Sequence, residues 1–373
     1  MKLAFVSTIL GYPWGGADAA WTAAAEAALA RGDQVLLALS ALTAAHPRVA
    51  ALVQAGATLV VRPPPAARPV FGRGHWHSLR RRLGAYSDPA VVAVGAFRPD
   101  LVLFSCGGTD DLVVEADWVA WLAASATRYR VVANWQAEHP ATSPDHCALL
   151  RKLFLASDGV FFLSERNLAV TRRHLANALP DARAFQVPLR WQPADASPWP
   201  DASVLRFAAV ARLEPVKGLD LLLPALHEAL GSEPAWQLNL FGRGPDEAKL
   251  RALAARLGLA DRVVFRGYVG GLREIWTENH LFVSPALDEG VPMTIPEAML
   301  CGRPALATDL GGAPEWIRDG VTGFLCPVPT AAALEATLRT AWAARARWPA
   351  MGGAAAAAAK QRYLPEDFLR LIA

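Results

Sequence analysis

Apolar residues along this chain gather in short, nearly continuous runs, separated by longer stretches with helical spacing. In the first half the runs are Leu3 to Ser7, Gln34 to Leu39, Thr58 to Val61, Leu101 to Phe104, Arg130 to Ala133 and Gly159 to Ser164. Runs that do not alternate with polar residues fit strands buried on both faces, and their rotation with helical segments predicts an α/β fold built on parallel sheet. The stretch Trp191 to Pro200 is proline-rich and nonperiodic, and a fresh strand pattern, Leu205 to Val210, follows it. A boundary there gives a first domain over 1–195 and a second over 204–360. The second half repeats the rhythm at Leu238 to Phe241, Val263 to Phe265, Leu281 to Val283, Pro304 to Thr308 and Gly323 to Cys326. The alanine run Gly353 to Lys360 is helix-prone, and the spacing of Tyr363 to Ala373 predicts one more helix. The halves share an architecture and no sequence repeat.

Length supports two domains, because 373 residues exceed what one core normally organises. A formal charge of +3 argues against bulk nucleic-acid binding, which needs a concentrated basic surface. Cys106, Cys147, Cys301 and Cys326 are scattered without paired metal spacing, so reduced thiols are expected. The N-terminal run is short and broken by Gly11 and Pro13, which predicts a buried strand in place of an export signal. No run reaches the roughly 18 apolar residues of a spanning helix. A cytoplasmic enzyme is the expectation.

The chemistry concentrates between Ser284 and Gly302. Ser284, Pro285, Gly290 and Pro292 punctuate a tight loop after the strand at 281–283, and a helix then starts near Pro296, tolerable in a first turn where its missing amide hydrogen has no partner. Glu289 lies on that loop and Glu297, eight positions on, one turn into the helix. The amides of Gly290, Val291, Met293, Thr294 and Ile295, with Pro292 among them, sit at the positive end of the helix dipole and would stabilise an anion such as a diphosphate. Carboxylates suit hydroxyls instead. Anion donors beside two acceptors match a ligand that carries both phosphates and sugar rings.

The joint order of several motifs in this half resembles the retaining GT-B glycosyltransferases of family 4, the glycosyl transferases group 1. Glu289 and Glu297 match the family's pair of glutamates with seven residues between them. The resemblance also covers Ala211-Arg212-Leu213 with Val216-Lys217-Gly218, Phe241-Gly242-Arg243-Gly244-Pro245, Gly267-Tyr268-Val269, and Gly311-Gly312 with Pro314-Glu315 ahead of Gly320-Val321-Thr322-Gly323. It implies a GT-B architecture: two Rossmann-like, doubly wound domains facing a cleft, the donor on the second and the acceptor on the first, with a last helix, 361–373, packing back onto the first.

Residue by residue, Arg212 and Lys217 follow the first strand of the second domain, where two cations would hold a diphosphate and stabilise the charge that grows as its glycosidic bond breaks. The resemblance gives them that role, gives Glu297 the ribose hydroxyls and gives Glu289 hydroxyls of the transferred sugar. Gly242 and Gly244 would permit close approach of a ligand, with Tyr268 and Val269 along the base, although Tyr268 reads equally well as facing the core. Glu247 stands where a dinucleotide fingerprint needs its third glycine, which disfavours a nicotinamide enzyme. Glu315 reads as a brace. In the first domain Gly15 and Gly16 are carried over as phosphate or acceptor contacts, against an ordinary turn capped by Asp18.

Two departures stand out. Where many family members have a histidine after the strand at 130–133, this chain has Gln136, with Glu138 and His139 following, and all three are candidates for its place beside the reacting sugar. Val187-Pro188 replaces a frequent Asn-Pro. The stretch 68–82, with Arg68, Arg73, Arg80, Arg81 and Arg82 among Phe71, His75, Trp76 and His77, reads as an acceptor loop, a solvated loop or a contact with an anionic membrane surface at the inner face.

The expected activity is therefore transfer of a sugar from a nucleotide diphosphate sugar to a hydroxyl of a sugar, lipid-linked or small-molecule acceptor in glycan or glycoconjugate synthesis. The resemblance further implies that configuration is retained, by front-face displacement, and that neither metal nor cofactor is required, with Arg212, Lys217 and helix amides supplying the positive charge. Closure about the proline-rich linker would exclude water. The alternatives are a non-catalytic sugar-nucleotide binding protein and an epimerase or phosphorylase of the same fold.

Overall fold

The computed structural model describes residues 1–10, 14–63, 88–136, 143–176, 179, 181–200 and 203–373. The chain divides into two compact units, Met1–Pro188 with Pro365–Ala373, and Leu189–Leu364.

Among the described residues the first unit carries seven parallel strands: β1 (Lys2–Ser7), β2 (Gln34–Ser40), β3 (Thr58–Arg62), β4 (Leu101–Gly108), β5 (Arg128–Trp135), β6 (Val160–Phe162) and β7 (Ala182–Ala184), in the spatial order β3-β2-β1-β4-β5-β6-β7. The second carries six: β8 (Leu205–Val210), β9 (Trp236–Phe241), β10 (Val263–Gly267), β11 (Leu281–Ser284), β12 (Ala305–Thr308) and β13 (Gly323–Cys326), in the order β10-β9-β8-β11-β12-β13. All twelve apolar runs became strands, as parallel sheets covered on both faces require. The exception is β7, three residues of Ala-Arg-Ala with no apolar signal, held by pairing to β6.

Alternation along each strand sorts the core into two layers. In the second unit Phe207, Leu281, Val283 and Leu306 pack against helices Leu219–Leu230, Ala331–Ala343 and Trp348 on one face. Ala208, Phe282, Ala305 and Ala307 pack against helix Thr294–Leu300 and the far side of helix Trp348–Arg362 on the other. Doubly wound sheets bind ligands outside the carboxyl ends of the strands, where the order reverses. Those switch points lie between β1 and β4 and between β8 and β11.

The division into units falls ahead of the expected boundary at 195–204. Residues 191–200 pack with the second unit, and Arg303 is the reason. Its guanidinium, 1% exposed, donates to the carbonyls of Trp276, Asn279 and Cys301 and also to Pro198 at 2.8 Å and Ser197 at 3.4 Å, with Trp199 stacked over it. Burial pulls its pKa down to about 10, yet five N–H donors among carbonyls keep the cation hydrogen-bonded. The expected helix 361–373 also differs. The α-helix spans Trp348–Arg362 within the second unit, and the tail 365–373 joins the first unit through a single 3-10 segment, Asp367–Leu371. There Asp367 Oδ2 accepts from Gln186 N at 2.8 Å and Arg130 donates to the carbonyls of Arg370 and Ala373. Pro365 cannot continue a helix, which accounts for the break.

In the first unit a buried guanidinium joins the end of β3 to residues much later in the chain. Arg62, at the end of β3 and 2% exposed, pairs with Asp88 at 2.8 Å and Glu115 at 2.9 Å and donates to Ser7 O. The four cysteines form no disulfide; Cys106, Cys301 and Cys326 are buried and Cys147 is half-buried. No described helix is long and apolar enough to cross a membrane.

His280, 1% exposed, takes a hydrogen bond from Arg206 N at 3.0 Å and packs edge-on against Trp199. Burial first, then the nearby cations Arg303 and Arg206, draw its pKa from 6.5 to about 4. The unfolded chain thus binds a proton that the folded chain refuses, so stability present above pH 6.5 is lost as pH falls towards 4, by on the order of 2–3 kcal/mol. Urea unfolding at pH 7.5 and pH 4.5 tests this. His280→Gln is expected to flatten the acid slope by most of that amount; an unchanged slope would assign it to other groups.

Candidate functional site

The switch point of the second unit brings together the loop after β8 and the loop after β11. After β8, a 3-10 turn Pro215–Lys217 ends at Gly218, whose φ of +63° is left-handed. A Cβ on Gly218 would lie 2.1 Å from Pro285 O, so only glycine lets the turn press against the β11 loop. Leu287 N donates to Val216 O at 2.9 Å and closes the contact. As a result Lys217 Nζ makes an ion pair with Glu289 Oε1, both side chains being largely buried. Two of the residues expected to share a site, Lys217 and Glu289, are therefore in contact.

Glu297 lies one turn into helix Thr294–Leu300 and is buried, its side chain 3% exposed. A carboxylate there needs compensation. It comes from Arg190, which no motif marked: Nε donates to Oε1 at 3.0 Å, Nη2 to Oε2 at 2.8 Å, and the backbone amide to Oε1 at 3.3 Å. The guanidinium, 44% exposed, covers the carboxylate, and this pairing raises the arginine's pKa, with Tyr268 a lesser contributor. Removing Arg190 would leave a buried carboxylate uncompensated, at a cost below the roughly 3–5 kcal/mol of a fully buried pair because the guanidinium is 44% exposed, whereas Arg212 with Glu214 at 2.7 Å, partly exposed on both sides, is worth about 0–1 kcal/mol. Arg212 is the readier of the two to turn to a ligand.

Tyr268 is 70% exposed, so its core-facing reading fails, and Val269 takes that role by packing against the apolar layer. The helix-start amides need one correction. Ile295 N is already bound to Pro292 O at 2.9 Å, which leaves Gly290, Val291, Met293 and Thr294 as the backbone around an anion. Gly290 is itself held from behind: Gly312 N donates to Gly290 O at 2.8 Å, and a Cβ on Gly311, at φ +49°, would meet Glu289 O at 2.1 Å. Glu315 braces helix Trp348–Arg362 through Arg362 at 2.8 Å.

Gly242 and Gly244 have a cause inside the chain. A Cβ on Gly242, φ +132°, would sit 1.9 Å from Ala211 O, and one on Gly244 2.3 Å from Leu213 O. Leu213 N in turn donates to Arg243 O at 3.0 Å. The glycines lock the β9 loop onto the β8 loop that carries Arg212, so they serve the site by positioning.

In the first unit the helix Gly16–Ala30 starts two residues before the expected cap. Asp18 is its third residue and reaches back: Oδ2 accepts from Gly15 N at 2.9 Å and Oδ1 from Trp21 Nε1 at 3.0 Å. Asp18 is 2% exposed and burial raises its pKa. Its carboxylate already holds the Gly15 amide, which weakens the case for a phosphate there. Gly15 is extended at φ −152° with nothing within 4 Å of a built Cβ, so no packing demands glycine. Gln136, at the end of β5, is 7% exposed, and its amide oxygen accepts from Thr171 Oγ1 at 3.1 Å. Glu138, His139 and the basic stretch 68–82 lie outside the described residues.

Two parallel-sheet, Rossmann-like α/β units with these strand orders define the GT-B fold of glycosyltransferases. The chain is similar over its whole length to Anabaena Alr3699/HepE, solved in complex with UDP: TM-score 0.74, 20% identity, covering 100% of this chain and 98% of that one. The family model for glycosyl transferases group 1 matches residues 205–343, most of the second unit. A D-inositol 3-phosphate glycosyltransferase of Actinosynnema mirum is 37% identical over 139 residues, 34% of this chain and 32% of the relative. An exopolysaccharide phosphotransferase of Streptomyces coelicolor is 39% identical over 118 residues, 31% of this chain and 12% of the relative. The chain thus matches a third or less of the length of these relatives.

Gly242→Ala is expected to destabilise by about 3 kcal/mol or more, because left-handed backbone and a carbonyl clash combine. Gly15→Ala should stay within about 0.5 kcal/mol. Denaturant unfolding checks both, and equal effects would contradict the packing described.

Proposed function

We propose that this chain is a glycosyltransferase that moves a sugar from a nucleotide diphosphate sugar to an acceptor hydroxyl with retention of configuration. The observation that carries the reading is the Lys217–Glu289 pair at the β8/β11 switch point, with buried Glu297 eight positions on in the helix that follows the same loop. Phosphate needs cations and donors, sugar hydroxyls need acceptors, and both stand together at the one edge of the sheet where such folds bind ligands. The match of 205–343 to glycosyl transferases group 1 supports it.

In the proposed reaction the acceptor oxygen bonds to the anomeric carbon on the face from which the diphosphate departs. The carbon–oxygen bond to phosphate breaks, and the departing phosphate oxygen takes the acceptor's proton. Lys217, once drawn from Glu289, and Arg212, once drawn from Glu214, stabilise the charge that collects on the leaving oxygens. These side chains and the Gly290–Thr294 backbone supply the positive field that a metal supplies elsewhere. Glu289 orients the sugar and Glu297 the ribose. The first unit would hold the acceptor.

Thermal stabilisation by UDP, GDP, ADP, TDP and NAD is the first test, with product analysis by NMR on the responding sugar nucleotide. One nucleoside diphosphate should stabilise the chain, and the new linkage should keep the donor's anomeric configuration. Lys217→Ala should lower kcat/KM by about 10²–10³-fold, the loss typical of one charge-stabilising donor. Binding without turnover would favour the non-catalytic alternative, and an inverted product would refute retention.

A further inference from the structure

We propose that Arg190 sets donor specificity: it closes over Glu297 and releases it only to a ligand that offers hydroxyls to the carboxylate and an anion to the guanidinium together. This rests on the donor-site reading above and adds the selection rule for that site.

The argument is one of acceptor sites. A carboxylate has about four lone-pair positions. On Glu297, Oε1 already takes the Arg190 backbone amide and Nε, and Oε2 takes Nη2. One position is left, on Oε2, while a vicinal diol needs two. The diol must therefore displace at least one arginine contact. The exposures give the order of events, since the guanidinium is 44% exposed and the carboxylate 3%, so an incoming ligand meets the arginine first.

Neither half of a donor can open this pair at low cost. A nucleoside would satisfy Glu297 and leave a guanidinium without its counter-charge. Inorganic pyrophosphate would attract the guanidinium and leave a buried carboxylate unpaired, the costlier of the two states. A nucleoside diphosphate satisfies both at once, as the charges exchange partners without any being stranded. The neighbouring Lys217–Glu289 pair has the same form, a cation closed on a carboxylate, and the same exchange would admit the β-phosphate and the sugar. Recognition is then more than additive in its parts.

Calorimetric titration tests this with three probes: the nucleoside diphosphate that stabilises the native chain, its parent nucleoside, and inorganic pyrophosphate. The native chain should bind the diphosphate at least a hundredfold more tightly than either part. In Arg190→Ala the diphosphate should weaken tenfold or more while the nucleoside tightens about tenfold, because Glu297 is uncovered. Arg190→Lys keeps the charge with a weaker grip and should move both affinities part of the way, which guards against a variant that misfolds. In Arg190→Ala with Glu297→Gln the nucleoside's gain should vanish. If nucleoside and diphosphate weaken by the same factor in Arg190→Ala and Arg190→Lys, Arg190 is only a support and the proposal fails. A native chain that binds no nucleoside diphosphate removes the donor-site reading itself, and the selection rule with it.

Discussion

A carboxylate shut away from water must have its charge matched, and in the second unit that requirement organises much else. Glu297 sits one turn into a short helix, 2% exposed, among the buried Ile295, Ala298, Met299 and Leu300. Arg190 must come to it. Arg190 in turn belongs to a segment that would otherwise be a connector, and it arrives because residues 189–200 lie down on the second unit. Tyr363 accepts from the Leu189 amide at one end and Arg303 gathers the carbonyls of Ser197 and Pro198 at the other. The Arg190–Glu297 pair is thereby assembled within one unit.

The fold was legible because its signals are local and repeated. Runs buried on both faces, such as Leu101 to Phe104 or Leu205 to Val210, leave few readings other than parallel strand. Strand β7 escaped because Ala-Arg-Ala carries no apolar pattern and owes its state to its neighbour. The C-terminal tail was misjudged for a related reason: its spacing suits a helix, but Pro365 and its bonds to Gln186 and Arg130 decide otherwise.

The site was legible only in part. Lys217, Glu289 and Glu297 announce themselves by spacing, and the switch-point topology brings their loops together. Arg190 carries no such mark, being a single cation two positions past Val187-Pro188 whose importance depends on a partner 107 residues away. The glycines show the opposite case. Their motif was clear, yet the reason for Gly242 and Gly244 is a clash with the chain's own carbonyls, which no spacing reveals. Gln136, read as a departure, is buried against Thr171, and that hydrogen bond shows why a polar residue is tolerated at that strand end.

The Arg62 clamp has a consequence for what the edge of the first sheet depends on. Arg62 and Asp88, 26 positions apart, meet directly, and Glu115 and the Ser7 carbonyl hold the same guanidinium to the sheet. The end of β3 is thus fastened from three directions, by residues that precede it, follow it and lie beyond the next helix. A single buried cation with several partners makes the edge of the sheet hinge on one side chain, so its loss would strand two carboxylates and a carbonyl at once.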